Sequence, residues 1–548
     1  MTTLLHDLID AAALAWPDRT AVSTAADSLT HRQVAEGSRR LAAWLTARGV
    51  ARGDRVVLVA PSDPVVPVLV YAASRIGAAF TVLHEQTRGR PLEHVLDDSG
   101  PVLLVAAEEG ARAAARSRGV LVATPGEIRT AAFAGAPGRA DVPAGADAPA
   151  FADAPAFADV PGRADVPAFA GTPAFADAPA GADAPAGADA PAPAPGPLAV
   201  DPVCLIYTSG TTSLPKAVVS THQQVVFAVG AIQSQLTYRP DDVVYCPLPL
   251  SFDYGLYQLF LGAASGAHVR LGQPAEVGPS LLRNLVGARA TVLASVPAVA
   301  ETLARLVKRS GGAGTPPLRL LTNTGAAMPV EPLNALRAAV PTLRVQLMYG
   351  LTECKRAAIM PPDGDLERPG ASGRALPGTE LFAIDEEGRR LPPGELGELV
   401  VRGPNVMAGY WRRPELSARR FHLAEGLFPE LRTGDYGRLD EDGYVYFDGR
   451  RDDIYKQRGF RVSATEVEAA TRRVPGVESA VVLPPDGDRP AVLVVVGRVT
   501  ADEVTALLKD EIEEFKIPHR CVVVSSLPLT GNGKVDRKAL LREVTSGV

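Results

Sequence analysis

Tyr207-Thr-Ser-Gly-Thr-Thr-Ser-Leu-Pro-Lys216 directly follows the apolar run Val203 to Ile206 and gathers five hydroxyl side chains (Thr208, Ser209, Thr211, Thr212, Ser213), Gly210 and a closing lysine within ten residues. The stretch reads as a strand running into a loop that cradles an anion. Successive backbone N–H groups in such a turn form a concave anion site, hydroxyls add donors, and a lysine adds a mobile point charge that can follow a departing phosphate. A polar surface loop is the competing reading, because Ser/Thr/Gly clusters ordinarily are that. The loop is not of the Walker type: the second glycine before the lysine is missing and Pro215 stands there.

Upstream, helical patterns alternate with short apolar strands. Leu29-Thr-His-Arg-Gln-Val-Ala-Glu predicts the start of a helix running to about Arg48, and Asp54-Arg-Val-Val-Leu-Val-Ala a buried strand followed by a turn. Such alternation argues for an α/β domain on a largely parallel sheet. These residues carry no chemistry of their own in this reading. Between about Phe133 and Pro197 the composition collapses to Ala, Pro, Gly, Asp and Phe, with a proline at every sixth position from Pro137 to Pro191. Proline at that density forbids helix or central strand, so a disordered insertion over residues 130–199 is expected, looping off the surface.

A chain of 548 residues exceeds one core and should form more than one domain. Its net charge of −6 and lack of a basic block point away from nucleic acid and anionic membranes. No apolar run reaches the ~18 residues of a membrane span, and MTTLLHDLIDAAALAW reads as an amphipathic helix rather than a signal peptide. Cys204, Cys246, Cys354 and Cys521 are far apart, which suggests neither a disulfide framework nor a zinc site and fits a reducing, cytoplasmic compartment. Arginine outnumbers lysine 48 to 8, so the position of each lysine is informative.

Downstream of the loop a helix is expected from His222 to about Gln235, followed by Tyr245-Cys-Pro-Leu-Pro-Leu-Ser-Phe-Asp-Tyr-Gly-Leu-Tyr-Gln. Then come Leu318-Arg-Leu-Leu-Thr-Asn-Thr-Gly-Ala-Ala-Met-Pro, Met348-Tyr-Gly-Leu-Thr-Glu353 and Cys354-Lys355-Arg356. Gly394-Glu-Leu-Gly-Glu-Leu-Val-Val-Arg-Gly and Val406-Met-Ala-Gly-Tyr-Trp read as strand with turns, and Arg432-Thr-Gly-Asp435 as an aspartate on a tight turn. The last hundred residues predict strands over 479–483 and 491–496 and a helix over 502–514, an α+β pattern. They also contain Gly449-Arg-Arg-Asp-Asp-Ile-Tyr-Lys-Gln-Arg-Gly and Leu529-Thr-Gly-Asn-Gly-Lys-Val-Asp-Arg.

In this order and at these distances the segments resemble the adenylate-forming ligases: acyl- and aryl-CoA synthetases, the amino-acid-activating domains of nonribosomal peptide synthetases, and the luciferases. The resemblance covers nearly the whole chain. It implies an α/β fold in which a large N-terminal domain of layered α/β subdomains (1–450) precedes a small, mobile α+β C-terminal domain (451–548). It further implies that Thr208, Ser209, Gly210, Thr211, Thr212 and Lys216 hold the phosphates of ATP, and that Gly325, Ala326 and Ala327 lie against the adenine. Tyr349 would pack on the adenine ring, Thr352 would hold the α-phosphate, and Glu353 would give a carboxylate oxygen to Mg²⁺. Asp435 and Arg450 would contact the ribose, Asp452 would be the hinge, Gly459 would line a thiol tunnel, and Lys534 would be the catalytic lysine.

The acid pocket falls to Phe252, Asp253, Tyr254, Tyr257, Thr324 and Arg356. Asp253 has two readings. In amino-acid-activating members an aspartate at the matching position pairs with the substrate ammonium; the ordinary role is to cap a helix beginning near Gly255. Lys355 and Arg356 likewise either meet an acidic substrate group or, as surface cations ordinarily do, face solvent.

A carboxylate attacking the α-phosphorus of ATP is an anion approaching an anion, so the catalyst must supply positive charge and positioning. The implied reaction is ATP-dependent acyl-adenylate formation with release of pyrophosphate, then transfer to the thiol of CoA or of a carrier protein's phosphopantetheine. The alternatives are a free-standing amino-acid-adenylating enzyme that loads a peptidyl carrier protein, and a nucleotide-binding scaffold without turnover.

Overall fold

Short strands buried on both faces can be satisfied only where helices cover both sides of a sheet, and the first half of the chain is built so. In the computed structural model, which describes residues 2–133, 196–208, 215–311, 314–423, 429–450, 454–457, 460–486, 489–509, 511–512, 516–530 and 535–546, two sheets of this kind share one core. The first has six strands in the order Leu121–Ala123, Leu103–Ala106, Arg55–Val59, Ala79–Leu83, Pro202–Thr208 (β1) and Lys216–Thr221 (β2). Its strands run parallel except for the antiparallel β1–β2 pair. The helix Arg90–Ser99 (α1) belongs to this unit and ends on a left-handed Gly100.

The second sheet has nine strands and receives the chain after β2. Helix His222–Leu236 (α2) starts on a capping box in which Thr221 accepts from the Gln224 N–H, and helix Asp253–Ser265 (α3) is buried along nearly its whole length. Strands Leu320–Asn323 (β3) and Arg344–Tyr349 (β4) lie parallel beside Val292–Ser295, and short antiparallel strands close both edges. The ends of β3 and β4 and the start of α3 therefore meet at the carboxyl edge of this sheet, where open α/β sheets present ligand sites.

A third, antiparallel sheet follows. Gly397–Arg402 (β5) and Pro429–Leu439 (β6) are its centre, with Val445–Arg450 (β7) on the free side of β6. The core of this sheet includes Tyr349 and Cys354, so the chain leaving β4 is packed into it. The described residues of 454–546 form a small α+β unit with its own cores around Val467, Val482 and Val495 and around Val481, Val494 and Leu540. Its helix Ala464–Arg473 (α4) is tied to β7 by the Thr465 hydroxyl, which donates to the Asp448 carbonyl at 2.7 Å.

Most expected elements fall within a few residues of their places; the helices at Leu29 and His222 run 31–46 and 222–236. Three readings need correction. The helix expected over 502–514 is Ala501–Leu508, because Leu508 completes its buried stripe and the chain then turns. Asp435 is not on a turn. It lies inside β6, where the ladder shifts register and Gly434 takes φ +68°, a bulge that re-aims the neighbouring side chain. Residues 130–133, expected within the insertion, finish helix Pro125–Phe133, whose Ile128 and Ala132 are buried; of the remainder, 134–195 lie outside the described residues and 196–199 form no helix or strand.

Candidate active site

The β1–β2 hairpin places the two ends of the hydroxyl-rich loop opposite one another, Thr208 pairing with Lys216. Residues 209–214, with Ser209, Gly210, Thr211 and Thr212, lie outside the described residues. Both ends are braced by α1. The Tyr207 hydroxyl donates to Asp98 Oδ2 at 2.9 Å, and His94 Nε2 lies 2.7 Å from the Pro215 carbonyl. Asp98 is itself held by Arg413 at 2.8 Å and, through its carbonyl, by the Trp411 indole N–H at 3.1 Å. His94 and Asp98 are invisible as site residues in the sequence because neither sits in a motif; only the fold brings α1 under the loop.

Residues 408–411 lie along β2 as an irregular extra strand, with Ala408 N–H to the Val219 carbonyl and Trp411 N–H to the Ala217 carbonyl, each at 2.9 Å. This carries Tyr410 beneath Lys216, whose Nζ stands 4.1 Å from the ring centroid. The Tyr410 hydroxyl donates to Glu353 Oε1 at 2.6 Å. Glu353 Oε2 has no hydrogen-bond partner among the described residues. One buried carboxylate with an oxygen to spare fits a hard divalent cation that takes its remaining ligands from phosphate and water. Thr352, beside it in the same turn, is partly exposed.

Among the residues expected to meet the nucleoside, Tyr349 ends β4 and donates its hydroxyl to Asp435 Oδ2 at 2.8 Å. Burial, reinforced by the Asp435 charge, pushes the Tyr349 phenol well above its ordinary range, so it stays a donor. Asp435 stands opposite Arg450 in the β6–β7 ladder. Gly325, Ala326 and Ala327 are exposed at the end of β3, held by the Asn323 amide N–H to the Ala326 carbonyl at 3.1 Å. Asp452, Gly459 and Lys534 lie outside the described residues.

The acid pocket departs most from expectation. Helix α3 begins at Asp253 itself, with Phe252 at the cap position and no side-chain capping bond. Asp253, 5% exposed, accepts no hydrogen bond from any described residue, which removes the capping role expected of it. Lys355 and Arg356 do not face solvent: they are 1% and 4% exposed. The cause is the turn after β4. A side chain at Gly350 would come within 2.3 Å of the Lys355 carbonyl, and Lys355 adopts a left-handed φ of +63°, which folds both cations inward. The Arg356 guanidinium lies 4.6 Å over Tyr254, and Lys355 Nζ lies 5.6 Å from the Tyr257 ring.

Five buried polar atoms here lack a hydrogen-bond partner among the described residues: Lys355 Nζ, Arg356 Nε, Tyr257 Oη, Thr324 Oγ1 and Asn323 Oδ1. Burial pulls the Lys355 ammonium below its ordinary range, with the Asp253 charge working against that. Such a concentration of unmet polarity is costly unless a ligand meets it. For Lys355 the sequence leaves pocket and solvent both open, and its burial removes the solvent-facing alternative; its rarity as a lysine is the available signal. An open cleft lined by His84, Glu85, Pro249 and Ser251 touches the turn before α3 and involves none of these five atoms.

Comparison with known proteins places this geometry. A model described as AMP-binding enzyme matches residues 9–411, and one described as AMP-binding enzyme C-terminal domain matches residues 466–534. The chain is 28% identical over 98% of its length to a plipastatin synthase protein of Bacillus subtilis (strain 168), and it spans 19% of that protein's length. It is 29% identical to feruloyl-CoA synthase of Amycolatopsis sp, over 95% of this chain and 94% of that protein. Among solved structures, the complex of VinN with L-aspartate superposes with a TM-score of 0.65 at 34% identity, covering 81% of this chain and 98% of that one. The chain belongs to the AMP-binding enzyme family, the adenylate-forming ligases.

Proposed function

We propose that this protein activates an amino dicarboxylic acid of the aspartate type with ATP, forming an acyl-adenylate and pyrophosphate, and passes the acyl group to the thiol of CoA or of a carrier protein's phosphopantetheine. The observation that carries the substrate class is the buried Asp253–Lys355–Arg356 set with its unmet polar atoms. One buried anion and two buried cations leave a net positive charge. An acid with two carboxylates and one ammonium is its complement: the ammonium faces Asp253, the spare carboxylate faces Lys355 and Arg356, and the other carboxylate reacts. That VinN was solved with L-aspartate supports this reading.

The chain's own residues divide the remaining work. Thr352 and the 209–214 loop hold phosphate oxygens, Lys216 follows the leaving pyrophosphate, and Asp435 takes the ribose hydroxyls with charge-assisted hydrogen bonds. Glu353 would hold Mg²⁺, which supplies positive charge to the phosphates. Lys534 bridges the attacking carboxylate and the α-phosphate. Rotation of the C-terminal unit about Asp452 then withdraws Lys534 and brings Gly459 to the thiol's path.

ATP–pyrophosphate exchange with L-aspartate, L-glutamate, succinate, β-alanine, ferulate and a fatty acid tests the substrate class. An amino dicarboxylate should exceed both succinate and β-alanine, each lacking one charged group, by about 100-fold in kcat/KM, the scale of leaving a buried charge unpaired. Asp253→Asn should close most of the gap to succinate. Faster exchange with ferulate or a fatty acid, untouched by Asp253→Asn, would overturn the proposal.

A further inference from the structure

Burying a lysine and an arginine next to one another on a single turn is unfavourable twice over, through lost hydration and through mutual repulsion, and an unrestrained turn would swing both out to water. The restraint lies in the backbone of residues 353–356, whose four successive carbonyls are all taken by donors inside the protein. The Met407 N–H donates to the Glu353 carbonyl at 2.9 Å, and Arg356 Nη1 donates to the Lys355 carbonyl at 2.6 Å. The other two carbonyls, of Cys354 and Arg356, accept from one side-chain amide, Asn405 Nδ2, at 3.3 and 2.9 Å.

Asn405 is fully buried and comes shortly after β5. Its neighbour anchors it in two directions: the Val406 N–H donates to the Gly403 carbonyl at 3.0 Å, and the Val406 carbonyl accepts from Gln224 Nε2, in the first turn of α2, at 2.9 Å. Between the two carbonyls that Asn405 grips stands Lys355, the residue with φ +63°. A left-handed backbone is unfavourable for lysine and persists only where the surroundings impose it. Changing φ at Lys355 would rotate the peptide that carries the Cys354 carbonyl away from Asn405 and leave a buried N–H unmet.

We infer that Asn405 is a positioning residue for the acid pocket: by gripping the carbonyls on either side of Lys355 it keeps the turn left-handed, so that Lys355 and Arg356 face the spare carboxylate of the substrate and not water. An amide does this without adding a charge to a pocket whose charge balance selects the acid. Glu353, on the same turn, is held by the Met407 backbone, so the nucleotide end does not depend on the Asn405 side chain. This inference rests on the amino dicarboxylate reading for what the two cations bind, and goes beyond it by assigning what aims them.

The experiment compares the unmodified chain with Asn405→Leu, which fills the space without a donor, and Asn405→Ala, which removes the amide; either decides if the other does not fold, and thermal melting checks both. Limited acetylation with acetic anhydride, mapped by peptide mass spectrometry, reads the position of Lys355 against Lys308, which is exposed on the helix Pro297–Arg309. In the unmodified chain Lys355 should react far more slowly than Lys308. In a folded variant its rate relative to Lys308 should rise about tenfold or more, the scale of losing two hydrogen bonds. ATP–pyrophosphate exchange should show KM for the amino dicarboxylate raised about tenfold, with KM for ATP held within about twofold.

Unchanged Lys355 acetylation in a folded variant would overturn this inference and leave the substrate reading standing. An equal rise at the other lysines, or in KM for ATP, would also overturn it, since either marks a general loosening. Exchange by the unmodified chain no faster with amino dicarboxylates than with succinate and β-alanine would overturn the substrate reading, and the pocket role of Asn405 with it.

Discussion

The two ends of the site are built on opposite principles. At the proposed nucleotide end, each named polar side chain makes a hydrogen bond within the protein: Tyr207 with Asp98, Tyr410 with Glu353, Tyr349 with Asp435. At the acid end they are left unmatched, with Lys355 Nζ, Arg356 Nε, Tyr257 Oη and Thr324 Oγ1 buried and unpartnered among the described residues. The matched end can hold its shape with no ligand present, as preorganised charge stabilisation requires. The unmatched end stores its polarity as an unmet demand, and the best substrate is the one that meets all of it. Affinity and selectivity then come from the same few groups: an acid missing one charge leaves a buried partner exposed to the full desolvation penalty.

The largest expected effect separates the ends by generality. Lys534→Ala should lower adenylate formation by about 10²–10³, the scale for losing one preorganised charge, and should do so for every acid accepted. Thioester formation from supplied acyl-adenylate should be much less affected. Equal damage to both half-reactions would remove Lys534 from its assigned role.

Lys355→Met should divide the acids instead. For an amino dicarboxylate kcat/KM should fall by about 100-fold or more, because Arg356 alone then faces the spare carboxylate, while the KM for ATP stays put. The same change should stabilise the substrate-free protein by about 1–3 kcal/mol, since it removes a buried ammonium that has no hydrogen-bond partner among the described residues. A rise in melting temperature accompanied by loss of activity is the signature; a fall in both would make Lys355 a structural residue.

The sign of the pH dependence follows. Burial lowers the Lys355 pKa, so between that lowered value and the ordinary 10.5 the unfolded chain binds a proton that the folded chain does not. Stability of the substrate-free protein therefore rises with pH through that window, while affinity for the second carboxylate falls. In Lys355→Met both slopes should flatten.

The matched end is also the more legible in sequence. A strand followed by Thr-Ser-Gly-Thr-Thr and a lysine carries its chemistry in consecutive residues, and the β1–β2 hairpin closes where that pattern places it. Legibility fails where partners come from distant elements. Asp98 reaches Tyr207 across 109 residues and Tyr410 reaches Glu353 across 57, and no local pattern records either pairing. At the acid end the residue types are visible in the sequence and their burial is not. Whether Lys355 and Arg356 point outward or inward depends on one left-handed residue in the turn after β4, a backbone choice that a lysine at that position does not announce. Asp253 misleads for a similar reason: a helix that starts one residue past Phe252 makes its aspartate the first helical residue rather than the cap.

The smallest expected effect concerns the segment between the first six strands and the hairpin. Replacing residues 134–195 by a short Gly/Ser linker should leave kcat/KM within about twofold, because loop-closure entropy changes only slowly with the length of a connection. Both flanks are secured without it. Arg40 donates to the Ala132 carbonyl at 3.2 Å on one side; on the other, Asp201 accepts from the Leu198 N–H at 2.8 Å and is paired with Arg52 at 2.7 Å. The strand β1 that follows is anchored in the six-stranded sheet on one side by Ala79–Leu83 and on the other by β2, so the loop beyond it keeps its footing. The described contacts at both ends of the site are made by residues outside 134–195. A soluble deletion variant that loses exchange activity would mean that the segment reaches one of these ends, and repeating the acid panel would identify which: uniform loss points to the nucleotide end, loss confined to amino dicarboxylates to the acid end.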